Sequence, residues 1–372
     1  MKPFCTAPFV GLVIDPQLNI QMCCSDGTFH LNTNLRDINS LREFFYNSKK
    51  YVNLRKDFEK YSLLEYFPCN DCHRSVNGFA TQVAYYNQNF KSITPLKLRH
   101  LEVTTSNVCN QTCVMCSSRF SSAHVKLHKT GNVMTMNDDD LKKIYEILPD
   151  IEILNIKGGE PFADQNNAKL LEEVYRLNPN ISKIVIISNG TNISKRFKNI
   201  LTKFKHVQLL FSVDGVGKVY EWQRGSSYDK TVNSINTFHK DTGITYGIIS
   251  AVTVYNLPSI VTDVNQQLND FKGLTSIDNT NVVVNPMYMS PELYDVNVLF
   301  KILGYIKLHN KIISSFVEIY NDALFNINSY STEEFRKHHT KFVNHTNFYN
   351  KVRGFDILDH VSELKDIYNY TI

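Results

Sequence analysis

Three cysteines, Cys109, Cys113 and Cys116, stand in the spacing C-x3-C-x2-C within Cys-Asn-Gln-Thr-Cys-Val-Met-Cys. Three thiolates hold three corners of a four-iron cube and leave the fourth iron open to a ligand. An open iron is a place for chemistry. Two plainer readings exist. Cysteines at i, i+4 and i+7 share one helix face and would make a small buried stripe, and C-x2-C is a zinc spacing. Ser106, Asn107, Asn110, Gln111 and Thr112 surround the cysteines, and Ser and Asn favour loops and caps over helix interiors. Zinc wants four ligands, usually with a second pair at similar spacing.

The other five cysteines, Cys5, Cys23, Cys24, Cys69 and Cys72, fall in the first 72 residues. Four thiolates from three separated places close a second site completely. By chemistry alone that site holds either a cluster or a zinc ion.

The elements that position these residues follow from periodicity. From residue 98 onward strand and helix signals alternate, the pattern of a parallel α/β sheet. Strands are predicted at 98–104, 151–156, 183–187, 207–211, 245–254 and 282–284. A helix is predicted at 138–148, capped by Asn137 and Asp138 and stopped before Pro149. Another is expected at 168–177, with Leu170, Leu171, Val174 and Tyr175 on one face, and 41–60 reads as helical. Each strand is followed by polar or glycine-bearing residues: Thr105-Ser106-Asn107, Lys157-Gly-Gly-Glu-Pro161, Ser188-Asn-Gly-Thr191, Ser212-Val-Asp-Gly215, Tyr255-Asn256 and Asn285-Pro286. Asn-Gly is also a turn dipeptide, and Asp214 before Gly215 reads equally as a cap.

The cysteine run and the Gly-Gly-Glu-Pro that ends the second strand resemble the radical S-adenosylmethionine superfamily. Met115 stands where the family usually has an aromatic residue. The resemblance implies a partial (β/α)6 TIM-type barrel, with the active site at the C-terminal ends of the strands. Cys109, Cys113 and Cys116 would ligate a catalytic [4Fe-4S] cluster, with Met115 beside it. Gly158, Gly159, Glu160 and Pro161 would receive the methionyl part of S-adenosylmethionine, the glycines by permitting close approach. Ser188 and Asn189 would meet the ribose, Ser212 and Asp214 would face cofactor or substrate, and Arg224 would reach the cofactor carboxylate.

The N-terminal cysteines are similar to a twitch or SPASM auxiliary domain, here placed before the barrel. The family spacing makes Cys5, Cys23, Cys69 and Cys72 the ligands of a second [4Fe-4S] cluster, and selects Cys23 over Cys24. The family's turn glycine is replaced by Leu18, so Asn19 is expected to take the left-handed conformation. The implied activity is reductive cleavage of S-adenosylmethionine to a 5'-deoxyadenosyl radical that abstracts hydrogen from a substrate. Oxidative modification of a peptide or protein is expected, with a small metabolite as the alternative and flavodoxin or ferredoxin as reductant.

Length and charge set the frame. The chain has 372 residues, with 40 basic and 36 acidic side chains and a net charge of +4. That length suits a large domain plus smaller parts: an auxiliary domain at 1–92, the barrel at 93–290 and a mainly helical extension at 291–372, helical from 357 to 368. No Lys/Arg block suggests nucleic acid, and no apolar run nears the ~20 residues that span a bilayer. Cys5 and Pro8 interrupt the apolar N-terminal stretch, so no secretion signal is expected. Sparse, clustered cysteines suit metal binding in the cytoplasm rather than disulfides. The loop 285–294, with Met287, Tyr288 and Met289, is the expected specificity segment. Two other classes fit parts of the sequence, a two-cluster electron carrier and a zinc-stabilised binding module. The electron carrier has no use for Gly-Gly-Glu-Pro, and the zinc module would be colourless.

Overall fold

Among the residues that the computed structural model describes (4–24, 31–60, 69, 82–282, 289–294, 301–302 and 332–369) the N-terminal stretch is partly strand. β1 (Gly11–Ile14) is followed by β2 (Asn19–Gln21) and β3 (Thr33–Asn34), paired antiparallel in that order. β1 also pairs parallel with β4 (His100–Val103), Val13 opposite Glu102. β5 (Ile153–Ile156), β6 (Lys183–Ser188) and β7 (Val207–Ser212) follow, then β8 (Tyr246–Val252) and β9 (Leu274–Val282).

The chain divides into two compact units. The first comprises Met1–Asn110, Ser117–Ser188 and Ile193–Leu209, and carries the strand order β3-β2-β1-β4-β5-β6 with the start of β7 next. Its register runs straight across, Glu102 opposite Asn155 and Asn155 opposite Val185. The second comprises Gln111–Cys116, Asn189–Asn192 and Leu210–Ile372, and carries the end of β7, then β8 and β9. β8 and β9 are parallel, with two register irregularities. The α/β class with a parallel sheet, consistent with a partial TIM-type barrel, is as expected, and so is the helical C-terminus. No described helix is long and apolar enough to cross a membrane.

Local chemistry explains most element ends. The helix Asp138–Tyr145 begins on Asn137 alone: its side chain accepts from Asp140 N, and Asp140 returns the bond to Asn137 N, a reciprocal capping box. Asp138 lies inside the first turn, where acidic residues suit the helix dipole. The helix Gln165–Leu177 buries Ala168, Leu170, Leu171 and Val174. Tyr175, expected on that face, is instead 39% exposed. It packs edge-on against Phe204 with Lys203 over its ring.

Four expectations are corrected. The helix read at 41–60 is two helices, Leu41–Asn47 and Lys49–Lys60, because Ser48 turns extended (φ −62°, ψ 138°). The sixth strand, expected from 282, begins already at Leu274: its Leu-Thr-Ser-Ile-Asp-Asn-Thr-Asn-Val sequence lacks the apolar run that marks a buried parallel strand, and residues 283–288, with Met287 and Tyr288 of the expected specificity segment, lie outside the described residues. In the tail, Thr332–Arg353 forms a 22-residue helix, followed by a 3-10 turn at Ile357–Asp359 and the short helix Leu364–Tyr368.

The fourth concerns the turn before β2. Leu18 itself takes the left-handed conformation (φ 65°), and Asn19 is already in the strand. That geometry disfavours an L side chain by roughly 1–2 kcal/mol. It is held because Leu18 is fully buried and because Asp15 Oδ1 accepts from Gln17 N (2.8 Å) and Asn19 N (2.9 Å).

Candidate cofactor site

In the first unit, β4 runs into Thr104, Thr105, Ser106 and Asn107, all buried. These polar residues read as loop, and the structure shows a hydrogen-bonded frame. Asn107 donates through Nδ2 to Asn132 O (2.9 Å) and Ser118 O (3.2 Å), and its Oδ1 accepts from Met134 N (2.8 Å). Thr105 donates its hydroxyl to Asp164 (2.6 Å). Cys109 N donates to Ser122 Oγ (3.0 Å). The Cys109 backbone is thus held by neutral groups.

The Gly-Gly-Glu-Pro loop packs against this frame. Glu160 N donates to Val108 O at 2.7 Å. Gly158 and Gly159 have φ of +81° and +53°. A Cβ on Gly159 would stand 2.5 Å from Val108 O and 2.9 Å from Ser106 O, and one on Gly158 would strike the Thr104 side chain. Both glycines are therefore needed by the packing of the two loops as well as by conformation. Glu160 is buried, and its Oε1 accepts from Ser188 Oγ (2.7 Å) and Phe162 N (3.0 Å). Two residues expected at different parts of the cofactor are thus joined directly. Pro161 is buried beside them.

The second unit holds Cys113 and Cys116, and here the frame is charged. Cys116 N donates to Cys113 O (2.9 Å), closing a turn, with Met115 half-buried between them. Arg224 Nε lies 2.5 Å from Asp214 Oδ2, with side-chain exposures of 13% and 0%. Asp214 Oδ1 also accepts from Ala251 N (2.7 Å), and Arg224 Nη1 approaches Cys113 Sγ at 3.6 Å. Burial opposes the Arg224 charge, but the Asp214 carboxylate outweighs it and holds the guanidinium above its usual range. Burial pushes the Cys113 thiol up, and Arg224 works against that rise. The sequence placed Arg224 toward the cofactor carboxylate; its head lies against Asp214 and Cys113.

The sequence reading missed the residues that brace this loop. Arg353, on the last turn of the helix Thr332–Arg353, donates to Thr112 O (2.6 Å), Thr112 Oγ1 (2.8 Å) and Trp222 O (2.8 Å). His345 Nε2 donates to Val114 O (3.3 Å) while Nδ1 accepts from Tyr255 (3.1 Å). Val114 N donates to Gln223 O, and Gln223 Nε2 to Asp214 O. No local signal reveals these partners, which are distant in sequence. Asn189 is buried and forms an Asx turn to Thr191 N (3.0 Å), and Ser212 is half-buried.

Of the N-terminal cysteines, Cys5, Cys23 and Cys69 are buried and Cys24 is exposed; Cys72 lies outside the described residues. Cys5, Cys23 and Cys24 all act electrostatically on Tyr86, whose hydroxyl is raised well above its usual range, first by burial and then by these thiols and Glu102. Tyr86 Oη lies 3.0 Å from His100 Nδ1, and Asn155 donates to His100 Nε2 (3.1 Å). Burial, with the Lys157 charge nearby, brings His100 down to about 3, so the ring is neutral.

Among the described residues no three His, Cys, Asp or Glu side chains converge as they would on a single ion. A cube makes a different demand, one thiolate at each of three separate corners. The donor set of the C-x3-C-x2-C run fits that demand. The packed glycine loop keeps side-chain bulk away from the backbone just before Cys109.

Residues 103–258 match the Radical SAM superfamily model. The chain carries a radical SAM domain. It is therefore an enzyme domain of the kind that holds a [4Fe-4S] cluster and S-adenosylmethionine. No curated protein matches the chain. Among solved structures, histidine-tagged anSMEcpe with bound AdoMet is similar at 22% identity over 49% of this chain, with a TM-score of 0.39; the chain spans about half of that protein, 50%. Streptococcus suis SuiB bound to precursor peptide SuiA is 17% identical over 74% of this chain and 57% of that one, TM-score 0.42. The Kitasatospora setae radical S-adenosylmethionine methyltransferase TsrM, with cobalamin and [4Fe-4S] cluster bound, is 10% identical over 56% and 38%, TM-score 0.37.

Proposed function

We propose that this protein is a two-cluster radical S-adenosylmethionine enzyme that removes hydrogen from a peptide or protein substrate. The observation that carries the reading is the packing of Gly158-Gly159-Glu160 onto the backbone just before Cys109, Glu160 N to Val108 O at 2.7 Å. That contact fixes the cofactor motif and the first cluster ligand as one piece. When bound, the catalytic cluster and S-adenosylmethionine supply a 5'-deoxyadenosyl radical; the protein supplies binding, orientation and exclusion of water.

Within that reading Cys109, Cys113 and Cys116 ligate the catalytic cluster. Arg224 next to Cys113 balances thiolate charge and is itself balanced by Asp214. Glu160 accepts from the cofactor amine while Ser188 orients its carboxylate, Met115 flanks the site, and Asn189 and Ser212 line its ribose and substrate sides. Cys5, Cys23, Cys69 and Cys72 hold the auxiliary cluster, with Cys23 preferred because it is buried where Cys24 is exposed. The division into an auxiliary domain at 1–92, a catalytic domain at 93–290 and an extension at 291–372 belongs to the same proposal. So do a flavodoxin or ferredoxin reductant and a cytoplasmic setting.

Anaerobic purification with iron and sulfide counts tests it. The expected content is about eight irons per chain, falling to about four when Cys109, Cys113 and Cys116 are all replaced by Ala. Unchanged iron in that variant overturns the catalytic assignment. About four irons in the unaltered chain overturns the auxiliary one.

A further inference from the structure

A cavity of about 360 Å³ opens in the first unit at the C-terminal ends of β1, β4 and β5. Its described lining includes Val13, Ile14, Pro16 and Phe120 on the apolar side. Glu102 and Lys157, Asp15 and Arg119, Thr104, Gly158 and Cys24 also line it. That volume falls within the range of small-ligand sites, which likewise combine apolar walls with a few placed polar groups. Gly158 opens the Gly-Gly-Glu-Pro motif, so the cavity abuts the cofactor loop without including Glu160 or Ser188.

The charges in it are arranged unequally. Lys157 Nζ lies 2.7 Å from Glu102 Oε1, with side-chain exposures of 34% for the lysine and 8% for the glutamate. Arg119 Nη2 lies 2.8 Å from Asp15 Oδ2, and the exposures are 49% and 7%. In both pairs the carboxylate is buried and the cation is reachable. Asp15 is further occupied by Gln17 N, both nitrogens of Asn19, and Gln21 Nε2, so its oxygens have little left to offer a ligand. Burial opposes the Lys157 charge, but Glu102 and Cys24 more than restore it, and the ammonium is held above its usual range. A group entering the cavity therefore meets two cations, each anchored from behind.

We infer that this cavity is the substrate subsite and that it takes an anionic group, a carboxylate or a phosphate, set beside an apolar portion that packs on Val13, Ile14 and Phe120. Lys157 and Arg119 bind the anion and determine specificity, and Glu102 and Asp15 position them. The assignment of the cavity to substrate rests on the radical-enzyme reading; the anion binding does not.

The test is calorimetric titration of the full chain with succinate, with pyrophosphate and with uncharged succinamide. One of the two anions is expected to bind, which tells carboxylate from phosphate, and succinamide is not. Lys157→Met and Arg119→Met should each weaken that anion about tenfold or more, as loss of a charge-assisted bond requires. Lys157→Met strands Glu102 in a buried site and risks unfolding; Arg119, half exposed, supplies the variant that keeps the test decisive. Saturating S-adenosylmethionine should leave the anion's affinity within about twofold. No binding of either anion, unchanged binding in Arg119→Met, or competitive displacement by S-adenosylmethionine overturns the inference. Cys109→Ala should retain anion binding, so failure here and failure of the cluster assignment are read separately.

Discussion

The cysteine loop is held in two different ways along its length. Around Cys109 the partners are neutral: Asn107, Ser122 and backbone carbonyls. Around Cys113 they are charged and enclosed: Asp214, Arg224 and Arg353. Neutral hydrogen bonds each contribute about 1 kcal/mol net, and they are indifferent to pH. A buried ion pair contributes little by its presence, yet removing one partner is costly because the other charge remains desolvated. The loop's second half should therefore be the fragile one, and its position next to a proposed cluster ligand gives a reason to hold charge there.

The largest expected effect is that of Asp214→Asn, which keeps the Ala251 bond but leaves Arg224 buried without a counter-charge. Urea unfolding should show a loss of roughly 3–5 kcal/mol. The double variant Asp214→Asn/Arg224→Met should lose less than the single. A loss below about 1 kcal/mol, the value of an exposed pair, would erase the contrast between the two halves. Next comes Arg353→Ala, which removes three hydrogen bonds from a cation to the Thr112 and Trp222 region. About 1.5–3 kcal/mol is expected, together with faster loss of iron from the purified protein; unchanged iron retention would show the C-terminal helix does not secure the loop.

Asp263 gives the second unit a dependence on pH. It lies in the second unit, buried, accepting from Ser259 (2.8 Å) beside Gly215, and burial raises its carboxyl from 3.8 to about 7. The native state then holds a proton that the unfolded state releases above pH 3.8, so this contribution is complete below that value and is lost as pH rises toward 7. Between pH 5 and pH 7 Asp263→Asn should gain about 2 kcal/mol relative to the unaltered chain. His100, in the first unit, runs the other way. Its folded value of about 3 lies below the ordinary 6.5, so its contribution is complete above 6.5 and lost as pH falls toward 3. Urea midpoints at pH 5 and 7 check both; a flat difference between Asp263→Asn and its parent would show that the Asp263 carboxyl is not held protonated in the folded state. The smallest effect is that of Ser122→Ala, about 1 kcal/mol with no pH dependence, measured in the same way.

Much of the parallel sheet was legible because parallel strands and amphipathic helices announce themselves by local periodicity. β5 to β8 fall within two residues of their expected bounds. β9 escaped because its sequence is polar, and the helix Thr332–Arg353 because its composition is mixed. Leu18 in the left-handed region could not be anticipated, since only its burial and the Asp15 bonds offset the strain.

For the proposed site, residue type and spacing alone single out the cysteines, the glycine pair and Glu160 as candidates. Those features are local: chemistry fixes how thiolates must be spaced and where side chains must be absent. Which polar and charged groups meet depends on the folded chain. Asp214 finds Arg224, Glu160 finds Ser188, and Arg353 reaches back to Thr112 across 241 residues of sequence. No local pattern encodes such pairs, because they arise only when separate elements have folded and a desolvated charge must take whatever partner the packing has brought within reach.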